Sequence, residues 1–303
     1  MKKNYNYKIY EYLCGRNKRM QMEEFGTKDY RIIHGDALQA LDKIEDDSVD
    51  LIFADPPYNI GKNFAGCLDK WDTDDHYLQW CYQWLDLCIR KLKRTGAFYV
   101  MTSTQFMPYF DIFLRNKINI LSRIAWYYDS SGVQAKNYFG SMYEPILFCV
   151  KDKDHYVFNA EEIMVEAKTG AKRKLIDYRK NPPQPYNTKK VPGNVWEFAR
   201  VRYRMDEYEN HPTQKPIALL DRIIRASSNE GDWVLDPFSG SFTTAFVAKE
   251  LGRKCIGIEL QDEYIKIGLR RLGLANEYKG ELLHRTEKIY QREESKEQLC
   301  ISF

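Results

Sequence analysis

Val49-Asp50-Leu51-Ile52-Phe53-Ala54-Asp55-Pro56-Pro57-Tyr58 is an apolar run that ends in an acid, two prolines and an aromatic ring. Residues 49–54 read as a buried strand, and Asn59-Ile60-Gly61-Lys62-Asn63 beyond them as loop. Asp55 therefore stands at the carboxyl end of a strand, where open α/β sheets bind ligands. Tandem prolines fix φ twice and remove two backbone donors. The Pro56 carbonyl then needs no strand partner and can face a ligand. A Pro-rich strand exit with an exposed acid and an exposed tyrosine would give the same four residues, so the rest of the chain has to decide.

Working outward, Tyr30-Arg31-Ile32-Ile33 reads as a short strand running into His34-Gly35-Asp36-Ala37, which places a second acid just past a strand. A short helix over 37–45 follows, and the polar, Tyr-rich residues 1–28 read as a lead-in, partly disordered. Residues 59–75 hold Gly61 and Gly66 without periodicity, a length that suits a mobile loop over an active site. Apolar residues from Tyr77 to Leu92 recur at helical spacing, predicting a helix over 75–94 that Thr95-Gly96 ends. Ala97–Met101 reads as a strand and 105–115 as a helix. Strands follow at Ile118–Tyr128 and Glu144–Val150, with a polar turn, 129–134, between them.

From about 151 to 210 the character changes. Between Lys168 and Arg204 eleven basic side chains oppose two acids, Asp177 and Glu197, a net of +9 against +3 for all 303 residues. Pro182, Pro183, Pro185 and Pro192 argue against long regular elements, and Tyr178, Tyr186, Trp196, Phe198 and Tyr203 are interleaved. This pattern suits a loop-rich surface that tracks phosphates while aromatics lie near bases. A solvated basic face is the alternative, and the shortage of acids favours nucleic acid.

His211-Pro212-Thr213-Gln214-Lys215-Pro216 precedes a helical stretch through 227. Trp233-Val234-Leu235 then reads as a strand entering Asp236-Pro237-Phe238-Ser239-Gly240-Ser241-Phe242-Thr243-Thr244, with a helix over 243–251 and a strand, 254–258, ending at Glu259. The acid lies 23 residues after Asp236, close to the spacing at which nucleotide-binding βαβ units place an acid on ribose hydroxyls. No G-x-x-x-x-G-K-[ST] run is present, which argues against a nucleoside triphosphate. A further helix is expected at 262–273, then a charged stretch that reads as a helix and frayed tail.

The length fits two domains or one large α/β domain with an insertion. No run of about 18 apolar residues suggests a transmembrane helix, and the N-terminus lacks the apolar region of a signal peptide. Seven cysteines without C-x-x-C point to reduced thiols in the cytosol. The five scattered histidines give no zinc-ligand spacing, so no metal is expected.

Asp-Pro-Pro-Tyr at 55–58 together with Asp-Pro-Phe-Ser-Gly-Ser at 236–241 resembles the amino-group DNA methyltransferases, which transfer methyl from S-adenosylmethionine to an exocyclic amine of adenine or cytosine. His211–Pro216 and Gly35-Asp36 extend the resemblance over roughly 30–275, and the motif order is similar to the circularly permuted β-class. The resemblance implies a Rossmann-like α/β fold: a doubly wound, mostly parallel sheet of about seven strands, the last antiparallel, with an inserted target-recognition region. It divides the chain into a lead-in (1–28), a catalytic half (29–150), a basic target-recognition region (151–210), a cofactor-binding half (211–275) and a charged tail (276–303).

For the site, the resemblance implies that Asp55 and the Pro56 carbonyl accept the two amine hydrogens, Pro57 stiffens the turn, and Tyr58 stacks on a base flipped from the duplex. It puts Glu259 on the cofactor ribose, Asp36 and Ala37 near its adenine, and Lys215 at its methionine carboxylate, with Asp236, Phe238, Gly240, Ser241 and Thr243 forming the turn. Asn59, Lys62 and Phe64 would close over the base. Lys62, Lys172, Arg173, Lys174, Arg179, Lys180, Lys189, Lys190, Arg202 and Arg204 are the expected DNA contacts. Phe242 departs from the pattern, since many members carry a second glycine there; its bulk bears on how closely the backbone approaches the cofactor. Asp55, where cytosine-N4 enzymes usually have serine, favours adenine-N6, and a carboxylate is the stronger acceptor for an amine gaining charge. RNA or protein-amide methyltransferases usually carry Asn-Pro-Pro-Tyr and the opposite motif order. The implied partners are double-stranded DNA, a second copy in a homodimer and a companion restriction endonuclease, with no membrane; the implied location is the cytoplasm, at the nucleoid.

Overall fold

Strand β3 (Val49–Ala54) lies near the middle of the sheet because its side chains are apolar on both faces. Leu51 and Phe53 enter one core layer, Val49, Ile52 and Ala54 the other. The same alternation in β4 (Leu92–Met101) separates Phe98 and Val100 from Ala97, Tyr99 and Met101. Strands buried on both faces read as continuous apolar runs. The computed structural model describes residues 21–129, 135–168 and 175–283. Most of the lead-in, most of the expected turn at 129–134, Lys172, Arg173, Lys174 and the end of the charged tail lie outside the described residues.

The other strands of this sheet are β1 (Glu23–Gly26), β2 (Tyr30–His34), β5 (Asn119–Tyr127), β6 (Tyr143–Val150), β7 (Val195–Glu197), β8 (Trp233–Asp236) and β9 (Lys254–Glu259). Among the described residues they give a nine-stranded sheet in the order β1-β2-β9-β8-β3-β4-β6-β5-β7. From β2 to β5 runs the expected seven-stranded sheet, parallel except for β6, which is antiparallel to both neighbours. Two edges were not expected. β1, within the supposed lead-in, pairs antiparallel with β2, and β7, from the basic segment, pairs parallel with β5.

Helices α1 (Ala37–Lys43), α2 (Asp74–Lys91) and α3 (Met107–Arg115) flank the sheet, as do α4 (Ile217–Ser227), α5 (Thr243–Glu250) and α6 (Asp262–Leu272). Aromatic and aliphatic side chains of α1 to α3 fill one core layer, those of α4 to α6 the other. α2 starts where Thr73 accepts a hydrogen bond from His76 N, with Asp74 and Asp75 in its first turn and Arg90 and Lys91 in its last. These charges complement the helix dipole. It ends at Lys91, not at Thr95-Gly96, because β4 already begins at Leu92. No helix among the described residues is long and apolar enough to cross a membrane.

Three further expectations change. Residues 59–75 are not a structureless loop: Asn63–Phe64 pairs with Cys67–Leu68, and the buried Asp69 accepts from the backbone of Tyr58 at 3.1 Å and from that of Lys62. After α6, the expected helix is a hairpin, Glu277–Tyr278 with Glu281–Leu282, anchored by the buried Tyr278, whose hydroxyl donates to Asp262 at 2.8 Å. Cys81, Cys88, Cys149 and Cys255 are buried free thiols as expected, but Cys67 is disulfide-bonded.

Candidate active site

The carboxyl ends of β2, β9, β8 and β3 lie side by side, and each releases an acid: Asp36, Glu259, Asp236 and Asp55. Register enforces this, since Leu235 pairs with Ile52, Asp236 with Gly257, and Glu259 with His34. The four acids rim one cleft. A second chamber, lined by Tyr128, Tyr143, Glu144 and Arg200 among others, adjoins it. Tyr58, Ile60, Lys62, His211, Thr213 and Lys215 line both, so the Asp55–Tyr58 turn forms the seam.

In the first chamber most polar atoms are already committed. Glu259 Oε1 accepts from the N–H groups of Leu260 and Gln261, each at 2.8 Å, and Oε2 from that of Gly240 at 2.9 Å. A carboxylate offers about four lone-pair sites, so one remains for a ligand hydroxyl. Burial raises the Glu259 carboxyl to about 7, with the three N–H groups pulling the other way. Asp236, also raised by burial to about 7, accepts from Phe238 N and from the Thr244 hydroxyl. Asp36 caps α1 by accepting from Gln39 N at 3.1 Å, with Ala37 as the first helical residue. Thr243 opens α5, and its hydroxyl lies 3.0 Å from that of Ser241.

Gly240 has φ +49°, and a Cβ there would stand 2.7 Å from His211 Nε2. Backbone and imidazole therefore meet at a point only glycine permits. Phe242 does not crowd the cleft. Its φ of +56° turns the fully buried ring away, against Gly257 and Gly268, where an added Cβ would come within 2.7 Å of it. These features fit S-adenosylmethionine: a spare acceptor for the ribose, an acid at a helix start for the adenine, and a turn with close backbone approach. Phe238, whose ring packs 5.6 Å from Trp80 and 5.1 Å from Trp84, lines the chamber with Trp80 as its apolar wall.

At the seam, the Tyr58 hydroxyl lies 2.6 Å from Asp55 Oδ1 and 3.0 Å from Glu144 Oε2. Lys215 Nζ lies 2.5 Å from Asp55 Oδ2 and 3.6 Å from Glu144, and also donates to Thr213 O at 3.3 Å. The Tyr128 hydroxyl donates to Glu144 Oε1 at 3.1 Å. Pro57 is held by its carbonyl, which accepts from the Tyr77 hydroxyl at 2.8 Å. Burial raises the Asp55 carboxyl and Glu144 adds to this, while Lys215 opposes it. Burial also works to lower the Lys215 pKa, but Asp55 and Glu144 outweigh it and hold the ammonium charged. Lys215, expected at the cofactor carboxylate, does line the first chamber, and there its ammonium is paired with Asp55.

Of the expected DNA contacts, Lys62 lines both chambers and donates to Pro212 O at 3.1 Å. Phe64 packs on His211, with centroids 5.8 Å apart, while Asn59 bonds Asp74 and Trp71 and so secures the loop. Lys180, Lys189, Lys190, Arg202 and Arg204 are exposed. Arg179 is exposed too, but its guanidinium is paired with Asp177 at 2.8 Å. Glu144, Tyr128, Asp69 and His211 were missed as site residues. No local pattern marks them, apart from His211 in the run ahead of Lys215.

Comparison with known proteins agrees with this geometry. A family model described as DNA methylase matches residues 49–270. The chain is 62% identical over 264 residues to the DNA adenine methyltransferase YhdJ of Escherichia coli K12, covering 87% of this chain and 90% of that one. It is 39% identical over 247 residues to the Type II methyltransferase M.HpaI of Haemophilus parainfluenzae, covering 80% and 74%. Among solved structures, the M1.HpyAVI–SAM complex superposes with a TM-score of 0.53 at 26% identity, over 79% of this chain and 98% of that one. The PvuII cytosine-N4-specific DNA methyltransferase shares the fold, with a TM-score of 0.63 at 17% identity over 83% and 90%.

Proposed function

The chain belongs to the DNA methylase family, and on that premise we propose how its two chambers divide one reaction: transfer of methyl from S-adenosylmethionine to the N6 amine of an adenine flipped out of duplex DNA. The observation that carries this is the seam, where the Asp55–Tyr58 turn lines the cofactor chamber and its Tyr58 lines both. Bound in the first chamber, S-adenosylmethionine supplies an electrophilic methyl group. Adenine rather than cytosine follows from Asp55 at the head of the motif and from the 62% identity to an adenine enzyme.

An exocyclic amine is a poor nucleophile because its lone pair is delocalised into the ring. Asp55 and the Pro56 carbonyl accept its hydrogens and favour a pyramidal nitrogen, and the carboxylate stabilises the positive charge that develops there. Tyr58 offers a face on which the flipped base stacks. Pro57, held by Tyr77, fixes the turn that carries all three. In the first chamber Glu259 takes the ribose and Asp36 the cofactor adenine. The exposed bases of 151–210, with Lys62 at the cleft mouth, track the phosphates. That segment is the target-recognition region of this reading. Homodimerisation, a companion restriction endonuclease and residence at the nucleoid belong to the same reading; sizing of the purified protein tests the first.

The test is transfer of labelled methyl from S-adenosylmethionine to duplex DNA by the purified protein. Label in N6-methyladenine is expected, and its absence across diverse sequences sinks the reading. Asp55→Ala should lower transfer ~10²- to 10³-fold, the scale for losing a main stabiliser of developing charge, while DNA binding stays within threefold. Retained turnover contradicts the role of Asp55.

A further inference from the structure

Both oxygens of Asp55 are occupied before any base arrives. Oδ1 faces the Tyr58 hydroxyl at 2.6 Å and Oδ2 the Lys215 ammonium at 2.5 Å. Each oxygen keeps a second lone pair, but an incoming amine must share Asp55 with a hydroxyl and an ammonium that already draw on its charge. Each of the two has a second partner, and it is the same atom: Glu144 Oε2, 3.0 Å from the Tyr58 hydroxyl and 3.6 Å from Lys215 Nζ. Glu144 comes from β6, across the sheet from the Asp-Pro-Pro-Tyr turn, and its Oε1 is fixed by the Tyr128 hydroxyl at 3.1 Å. Its side chain is 17% exposed and lines the second chamber only.

A phenol has one hydrogen to give, so Tyr58 serves one carboxylate at a time. An ammonium has three donors on a flexible stem, and a shift of about 1 Å brings Lys215 into hydrogen-bond range of Glu144. Two carboxylates face one ammonium, so Asp55, Glu144 and Lys215 together carry one surplus negative charge. That surplus matches the positive charge an amine gains on methylation.

We propose that Glu144 is a positioning residue: it receives Lys215 and the Tyr58 hydrogen bond when the target amine docks, and so frees Asp55 to accept that amine. The inference rests on the adenine methylation proposed above. Lys215 sits as a stand-in for the amine, a donor on the same acceptor. Without the Glu144 charge, Lys215 has no second seat and stays on Asp55, competing with the substrate. Lys62 and Arg200 also line this chamber, with Tyr128, Tyr143, Tyr208 and His211 among its other polar groups, and among the described residues neither cation forms an ion pair with Glu144.

Single-turnover methyl transfer by Glu144→Gln, alone and combined with Lys215→Met, tests this. Glu144→Gln should lower the rate at least ~30-fold, about 2 kcal/mol at 1.4 kcal/mol per tenfold, with DNA affinity within threefold of the unaltered protein. Removing the competitor in Glu144→Gln/Lys215→Met should restore at least tenfold over Glu144→Gln. A residue that only packs the chamber would give no such recovery. If Glu144→Gln fails to fold, Glu144→Ala with and without Lys215→Met carries the same comparison. A Glu144→Gln rate within threefold of the unaltered protein, or a double variant no faster than the single one, overturns the proposal. Absence of transfer by the unaltered protein would instead overturn the function on which it rests.

Discussion

The cofactor chamber and the basic segment 151–210 are built on opposite plans. Around the chamber, backbone and side chains satisfy one another. Glu259 holds three N–H groups, and the half-buried Arg271 donates to Ser241 O at 2.9 Å and packs 4.6 Å from the Phe246 ring. Burial lowers the Arg271 pKa to about 10. In the basic segment the strands outside the main sheet are two residues long, and Lys189 and Lys190 pair only through their backbone, with Val165–Glu166. The contrast fits the ligands proposed for each. A small cofactor is bound well by a site whose order is established in advance. A long polyanion supplies its own order and is held by charge that tolerates motion.

If the chamber is preorganised, its residues should act through geometry and show large effects. Glu259→Gln should weaken S-adenosylmethionine binding ~30-fold or more by calorimetry, since a charge-assisted hydrogen bond contributes about 1.5–3 kcal/mol. The same variant has a pH signature. Glu259 and Asp236 stand at about 7 in the fold against 4.5 and 3.8 ordinarily, so the folded state holds their protons more tightly. Stability from these groups is therefore present at low pH and lost as pH rises towards 7. His211, pushed by burial to about 3 from 6.5, works in the opposite sense: its contribution rises with pH over that window. The melting temperature of cofactor-free Glu259→Gln should therefore fall less steeply between pH 5 and 7 than that of the unaltered protein. Equal slopes would contradict the raised carboxyl.

A second effect, on folding rather than binding, sharpens the same side of the comparison. Gly268→Ala places a Cβ 2.7 Å from the Phe242 ring, an overpacking that costs about 1–3 kcal/mol. Helix propensity alone would favour alanine by about 1 kcal/mol. Denaturant unfolding should show net destabilisation, and the cost of Gly268→Ala should disappear in a Phe242→Ala background. A fully additive pair would show that the ring and the glycine are independent.

The smallest effect belongs to the basic segment. Lys189→Ala with Lys190→Ala should weaken DNA binding only several-fold and evenly across sequences. It should also reduce the slope of log affinity against log salt by about 2, since each phosphate left without its lysine removes about 0.9. A large effect confined to one sequence would place these lysines at base edges instead.

The same contrast decides what could be read from the sequence. The strand ends at 49–58 and 233–259 were legible because each functional residue is fixed by its own strand and turn, within a few positions. Glu144 and Tyr128 were not, because Glu144 meets Tyr58 only through the fold and Tyr128 reaches the site through Glu144, and a glutamate in an apolar strand carries no local signal. Lys215 was seen, but its pairing with Asp55 was not; only the fold brings the two together. Phe242 was read as bulk beside the cofactor, since the space left by Gly257 and Gly268 is a tertiary feature. The 59–75 loop lacks periodicity because Asp69, not a repeating apolar face, holds it in place.

We propose that the Asp55–Tyr58 turn, at the seam of two chambers, serves methyl transfer to adenine in DNA. Mapping N6-methyladenine in the DNA of cells that express the protein tests it most directly, with cells expressing Asp55→Ala beside them. Methylated adenine confined to one recurring sequence, and lost with Asp55→Ala, is the predicted result. Unmodified adenine in both, or the same mark in both, would contradict it.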